Sequence, residues 1–387
     1  MKYSLSSLCE YRKGKVNVDG LNKDTYISTE NMLPNKGGVI RATSLPTTSQ
    51  TQEYKKGDVL VSNIRPYFKK IWQAEYDGGC SNDVLVFKAN ENTDKDFLYY
   101  VLADDAFFNY SMATSKGTKM PRGDKTSIMQ YGVPHYDIVE QKKIACVLRL
   151  LDKKIECNNK INNNLEQQAQ AIYRSWFVNY EPFDGTKPDD WSDGTIDDLG
   201  TEIICGKTPS TKKSEYYGGN TPFITIPDMH GCVYIVSTER YLSDAGVASQ
   251  PKKTLPPNTV CVSCIGTAGL VTLVSEESQS NQQINSIIPK EGISVYYIYL
   301  LMQTLADTIN KLGQSGSTIV NLNKTQFGKI QVMIPSELVL QDFDSLCRPL
   351  FDTILSNQKE NINLSELRDA LLPKLMSGEL DVSDIDL

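Results

Sequence analysis

The sequence predicts an α+β fold built twice: two similar domains of mixed β-sheet with flanking helices, separated by two long helices that pair as an antiparallel coiled coil. Three observations carry this. The strand-like run Val59-Leu60-Val61-Ser62-Asn63-Ile64 returns 201 residues later as Val260-Cys261-Val262-Ser263-Cys264-Ile265. Other echoes keep nearly the same offset: Tyr26 to Met32 with Phe223 to Met229, Gly117-Thr118 with Gly316-Ser317, Lys125-Thr126 with Lys324-Thr325, and Pro134 with Pro335. Each half then runs into a long helical pattern, opening at Gln141 or at Gln341. A chain of 387 residues also exceeds what one core usually holds, and two domains of about 140 residues plus spacers fit the size.

In chain order, the first domain covers residues 1–138. Asp58 to Ile64 and Asp83 to Phe87 are β-rich runs bounded by Gly57 and by Gly78-Gly79. Phe97 to Leu102, with Phe107 and Phe108, reads as a helix packing on that sheet. A central spacer helix follows over 139–181, ended by Glu181-Pro182 and by Lys187-Pro188. The second domain, 182–338, repeats the order: strands over Val260 to Ile265, Leu270 to Val274 and Ile284 to Ile288, then a helix over Val295 to Leu312. A C-terminal spacer helix spans 339–380, and an acidic tail covers 381–387.

The two helical patterns match in detail. Leu148, Leu151, Ile155, Asn158, Asn162, Leu165, Ala169, Ile172 and Trp176 follow alternating steps of 3 and 4, the seam of a coiled coil. Cys347, Leu350, Ile354, Asn357, Asn361, Leu364, Arg368, Leu371 and Leu375 take the same steps 199 residues further on. Both seams are polar at the same two central places, Asn158 and Asn162 in one, Asn357 and Asn361 in the other. Seam asparagines cost stability but fix register, because a shifted pairing would bury unpaired amides. Antiparallel pairing brings the two polar layers together and makes a rod of about 40 residues, roughly 60 Å long. The alternative is two amphipathic helices, each packed separately on its own domain.

Composition excludes more than it assigns. With 40% hydrophobic and 22% charged residues the chain reads as an ordinary soluble globular protein. The start, Met1-Lys2-Tyr3-Ser4, has no secretory character, and no apolar run is long enough for a membrane span. Nine cysteines without a framework read as reduced thiols, so a cytoplasmic location is expected. The net charge of −7 is uneven: residues 1–140 carry 18 Lys+Arg against 17 Asp+Glu, whereas 341–387 carry 4 against 10. A basic face on either domain therefore stays open.

No catalytic motif is found. The two histidines, His135 and His230, sit in a linker and a turn and leave little for a metal site or acid/base chemistry. Cys261-Val-Ser-Cys264 has redox spacing, but on a strand residues three apart face opposite sides. Gly206-Lys207-Thr208 lacks the earlier glycine of a phosphate loop, since Thr201 stands there. Asn179-Tyr180-Glu181-Pro182 is only a distant likeness of an amino-methyltransferase tetrapeptide.

What remains are polar, glycine-punctuated loops at matching places in both domains. In the first, Ser62, Asn63, Arg65, Tyr67 and Lys69 leave a strand together, and Lys116, Thr118, Lys119, Arg122 and Lys125 make a second, more basic loop. Arginine reads guanine bidentately in the major groove and lysines neutralise phosphates, so these are candidate DNA-binding residues, against the alternative of a solvated hairpin. In the second domain the matching positions are chemically different: Thr267 in one loop, Ser315, Ser317, Thr318, Asn323 and Lys324 in the other. Its basic segment is instead Lys207, Thr211, Lys212 and Lys213. One scaffold with two reading surfaces is what two different half-sites demand.

At these residues the chain resembles the DNA specificity (S) subunit of type I restriction-modification systems. The resemblance lies in Gly206-Lys207-Thr208-Pro209-Ser210 followed by Thr221-Pro222-Phe223-Ile224, in Gly57 to Ser62 with Arg65-Pro66, and in the helix Gln141 to Phe177 with its repeat. It implies that each repeated unit is a target recognition domain reading one half of a bipartite site in double-stranded DNA. It implies that the helices set the spacer and dock two methyltransferase subunits, which restriction/translocase subunits join. Catalysis, S-adenosylmethionine and ATP would belong to those partners, so no cofactor is expected in this chain. Outer helix residues such as Lys142, Lys153, Glu156, Glu166 and Arg174 become candidate partner surface. A reading from another class is a tandem-repeat scaffold that binds proteins only, and a third is an enzyme with an unrecognised site.

Overall fold

A computed structural model describes residues 3–117, 119–314 and 320–382. The chain divides into two compact units, one holding the residues up to Lys154 together with those from Leu364 onward, the other Ile155–Asn363. Each unit thus contains a domain and a part of both long helices.

In the first unit, a four-stranded antiparallel sheet runs in the order Cys9–Tyr11, Val84–Ala89, Val59–Ser62, Ile71–Gln73. Val59–Ser62 is buried at every position, so its apolar run does not alternate. Its two faces serve two cores. Val59, Val61, Leu85 and Phe87 pack with the helical layer, while Leu60, Val84, Val86 and Trp72 pack with Ile27, Tyr54 and Cys80 of a second small sheet. That second sheet contains the parallel pair Tyr26–Ile27 and Gly78–Cys80.

The second unit repeats the plan. Gly200–Cys205, Ile284–Pro289, Val260–Ser263, Val271–Val274 and Tyr234–Ile235 form a five-stranded sheet in that order. The registers correspond: Val59 opposes Phe87 and Ser62 opposes Val84, as Val260 opposes Ile287 and Ser263 opposes Ile284. The parallel pair returns as Phe223 beside Gln279 and Ile224 beside Ser280.

Two expected helices are each two. Lys95–Ala103 and Asp105–Ala113 are separated at Asp104, whose extended backbone breaks the first helix while its carboxylate caps Ala106 N of the second. Val295–Thr304 and Ala306–Gly313 part at Leu305, which keeps a right-handed helical backbone and supplies no side-chain cap. The long helices run over Ile138–Phe177 and Glu337–Ser377, a few residues shorter at the far end than expected. The first stops because Tyr180 and Asp184 turn left-handed around the short Glu181–Phe183 helix.

Within each unit the long helices pair antiparallel. Asn158 Nδ2 donates to Asn361 Oδ1 at 2.9 Å and to Glu360 Oε2 at 2.7 Å, and Asn357 Nδ2 donates to Asn162 Oδ1 at 2.8 Å. As one number rises by four the other falls by four, the signature of opposed chains. In the first unit, Asp152 holds Arg368 at 2.7 Å, and Ile144, Ala145 and Leu148 share a core with Leu372, Leu375 and Met376. In the second, Ala169, Tyr173 and Phe177 pack with Phe343, Cys347, Phe351 and Ile354. The apolar face is wider there than the seam of 3 and 4, because the helices also cover their own domain.

Candidate nucleic-acid interface

Three loops converge at one edge of each unit, and five backbone hydrogen bonds recur there at matching positions. In the first, Asn63 N donates to Asp83 O (2.8 Å), Arg65 N to Pro121 O (2.9 Å), Gly123 N to Asn63 O (3.3 Å), Ser81 N to Ile27 O (2.8 Å) and Val84 N to Ser81 O (2.9 Å). In the second, Cys264 N donates to Gln283 O (2.8 Å), Gly266 N to Val320 O (3.0 Å), Leu322 N to Cys264 O (3.0 Å), Asn281 N to Ile224 O (3.0 Å) and Ile284 N to Asn281 O (3.3 Å). Each of these pairs of bonds joins matching positions. The two basic loops of the first domain, expected to share a face, do meet.

On this common frame the first unit carries charge. Ser62 is buried and donates its hydroxyl to Ile64 O, so it shapes the loop from inside. Asn63 Oδ1 and Arg65 Nε are buried and have no partner among the described residues. Both groups lie on the same edge, beneath its surface. Gly123 is required beside them, since a β-carbon there would lie 2.8 Å from Asn63 Oδ1. Tyr67 is exposed, its ring 4.7 Å from that of Phe68.

Most cations here are already matched. Lys69 pairs with Asp105 at 2.7 Å, Lys116 with Asp124 at 2.7 Å and Arg122 with Asp83 at 3.1 Å. Lys116 and the bonds from Ser127 hold the Asp124 carboxyl down to about 2. Pairs this exposed to solvent are weak. Lys119 and Lys125 are exposed. Thr118 lies outside the described residues.

The second unit presents hydroxyls and amides. Thr267 is exposed on the loop matching Arg65, and Lys207 stands on the segment that follows strand Gly200–Cys205. Gly206 lets that segment press onto the neighbouring turn, where a β-carbon would fall 2.1 Å from Asn281 O. Thr208 donates to Gln282 Oε1 at 2.7 Å, bringing the 206–208 segment to the same edge. Thr211 and Lys212 are exposed, and Lys213 donates to Tyr216 OH at 3.0 Å. Asn323 is committed to capping the short helix Lys324–Gly328 through Gln326 N, and Lys324 is its exposed first residue. Ser315, Ser317 and Thr318 lie outside the described residues.

Reading the loops missed the third strip of each edge, Ser81-Asn82-Asp83 and Asn281-Gln282-Gln283. A signal was there: both are polar triplets directly before matched strands, 200 residues apart. Of the outer helix residues, Glu166 turns inward, accepting from Tyr299 OH (2.9 Å) and Gln303 Nε2 (2.8 Å), while Lys142, Lys153 and Arg174 are exposed.

No group of three His, Cys, Asp or Glu among the described residues is arranged to hold a metal. Cys261 and Cys264 are buried free thiols, both pushed up to about 12 by burial. No described helix is long and apolar enough to cross a membrane.

Comparison with known proteins follows this geometry. A family model described as "Type I restriction modification DNA specificity domain" matches residues 1–167 and again 188–341. The chain is 32% identical to the type I restriction enzyme HindI specificity subunit of Haemophilus influenzae, over 98% of this chain and 99% of that one. It is 26% identical to the MjaIX specificity subunit of Methanocaldococcus jannaschii, over 75% and 70%. The crystal structure of a type I S subunit from M. genitalium shares the fold, with a TM-score of 0.58 at 16% identity, covering 97% of this chain and 96% of that chain.

Proposed function

The chain belongs to the family of type I restriction-modification DNA specificity subunits, and from that premise we propose that each of its two domains reads one half of a bipartite site in double-stranded DNA. The observation that carries this is the matched pair of edges: one hydrogen-bonded frame, two sets of side chains. Arg65, half-buried at that edge, is the residue best suited to read a base in the first half, and Lys119, Arg122 and Lys125 hold phosphates beside it while Lys116 stays on Asp124. Lys207, Thr211, Lys212 and Lys213 take the phosphate role in the second half.

The paired helices set the distance between the halves, with the asparagine layers fixing their register. They also dock two methyltransferase subunits, and restriction/translocase subunits join that complex in the cytoplasm. Exposed Leu150 and Ile161 on one helix and Leu346 and Leu367 on the other support a docking role, being large apolar groups that pairing leaves uncovered. Methyl transfer, cleavage and ATP use reside in those partners, and this chain supplies specificity alone.

Genome-wide mapping of adenine methylation, in cells with and without this chain, tests the reading. Two short sequence halves around an unspecified spacer, methylated only when the chain is present, are expected. Methylation that does not depend on the chain would contradict it. A protein-only scaffold, by contrast, would give no salt-dependent DNA affinity.

A further inference from the structure

The third strip is where the two edges differ most in chemistry. In the first unit Asp83 spends its carboxylate on Arg122. In the second, the residue bonded at the same backbone position is Gln283, whose carbonyl takes Cys264 N as Asp83 takes Asn63 N. Its neighbour Asn281 is buried and splints it twice: Asn281 Oδ1 accepts Gln283 N at 3.0 Å, and Asn281 Nδ2 donates to Gln283 Oε1 at 3.1 Å. Thr208 splints the exposed Gln282 in the same manner, through its Oε1. Both glutamines therefore have the carbonyl end fixed, a second lone pair still available there, and an Nε2 that donates to nothing among the described residues.

We infer that Gln282 and Gln283 carry the base reading of the second half-site and that the base they read is adenine. A glutamine amide gives and accepts one hydrogen bond side by side, which fits the N7 acceptor and N6 donor of adenine in the major groove. Two amides held by Asn281 and Thr208 lose little ordering entropy on binding, which suits them to read a base while the lysines nearby meet phosphate. Asn281 and Thr208 are positioning residues and touch no base. The inference rests on the reading of these edges as DNA-binding, and it places the second half-site's specificity on a turn rather than on the Lys207–Lys213 segment, whose lysines contact phosphate.

The test is selection by the full chain from a library of randomised DNA duplexes, followed by sequencing of the bound fraction. Wild type should enrich two halves, one with adenine at fixed positions. Gln282→Ala with Gln283→Ala should reduce adenine enrichment in that half by roughly 5- to 150-fold, the range of one good bidentate contact, and leave the other half unchanged. Gln283→Glu, which keeps the size and the turn, should exchange one adenine for cytosine, because a carboxylate accepts from the cytosine amino group. Identical halves from wild type and both variants would overturn the inference. No enriched sequence even from wild type would instead overturn the DNA reading on which it rests.

Discussion

Arg65 and Gly266 occupy the same corner of the two repeats. Both are left-handed, with φ of 50° and 77°, and both donate their N–H across to the adjoining loop. A side chain in that conformation costs about 1–2 kcal/mol over glycine, so the first unit carries strain that the second avoids. That strained corner carries the Arg65 side chain at the candidate edge. Arg65→Gly should therefore unfold later than Arg65→Ala by about 1 kcal/mol, measured by thermal melting. Both variants should alter base preference in the first half-site alone.

The matched ion pairs govern salt dependence. Asp124→Asn keeps the cap on Ser127 N, since Asn caps as well as Asp. It releases Lys116 for one more phosphate. The slope of log affinity against log salt should steepen by about 0.9, measured by fluorescence anisotropy on duplex DNA. The pH follows from the sign of the shift. A carboxyl lowered to about 2 keeps its ion pair above the ordinary carboxylate range and loses it only as pH falls through about 2. The wild-type slope should accordingly be the same at pH 8 and pH 5.

Asn158 is fully buried and donates to both Asn361 and Glu360. Asn158→Ala strands those acceptors and should cost about 1–3 kcal/mol. Asn158→Asp places a second carboxylate against Glu360 and should be less stable still at pH 8, recovering as pH falls through the carboxylate range. Thermal unfolding across pH checks both. Equal stability of Asn158→Asp at pH 8 and pH 5 would mean that the layer does not form as described.

Thiol reactivity distinguishes a structural from a redox role for Cys261 and Cys264. Cys9, Cys80, Cys261, Cys264 and Cys347 are buried free thiols, each pushed up to about 12 by burial. They should stay unmodified by an aromatic disulfide reagent at pH 8 in the native protein, while the exposed Cys157 reacts. Mass mapping of the labelled cysteines reads this directly.

Much of this architecture was legible from residue order because the repeat supplied a second measurement of each element. The Asn158 and Asn361 layer could be placed since two seams with polar gaps at equal steps pair in only one antiparallel register. The strand Val59–Ser62 could be found since its echo at Val260 shared its β-branched run. Breaks at Asp104 and Leu305 were not read, because the apolar pattern continues past both; Asp104, a good helix N-cap, carried a signal, and Leu305 carried none. Tyr173, Phe177, Phe343 and Phe351 fell outside the strict seam because the helices bury a second face against their own domain. At the candidate site, the loops around Arg65 and Arg122 were identified from their chemistry. Asp83 and Gln283 were not, because a polar turn has no periodicity, and only the offset between the repeats marks it. Which cations are spent on carboxylates, as Lys69 is on Asp105, depends on neighbours brought in from distant sequence.

The central claim is that the helices fix geometry and the edges fix sequence, and a matched insertion separates the two. Adding one heptad to each long helix, after Lys154 and after Leu364, preserves the seam and lengthens each helix by about 10 Å, or about 3 base pairs of duplex. Selection of the full-length variant from randomised duplexes should return both half-sites unchanged with the spacer between them longer by about 3 base pairs. Unchanged spacing, or halves that change while the edges are intact, would contradict the account.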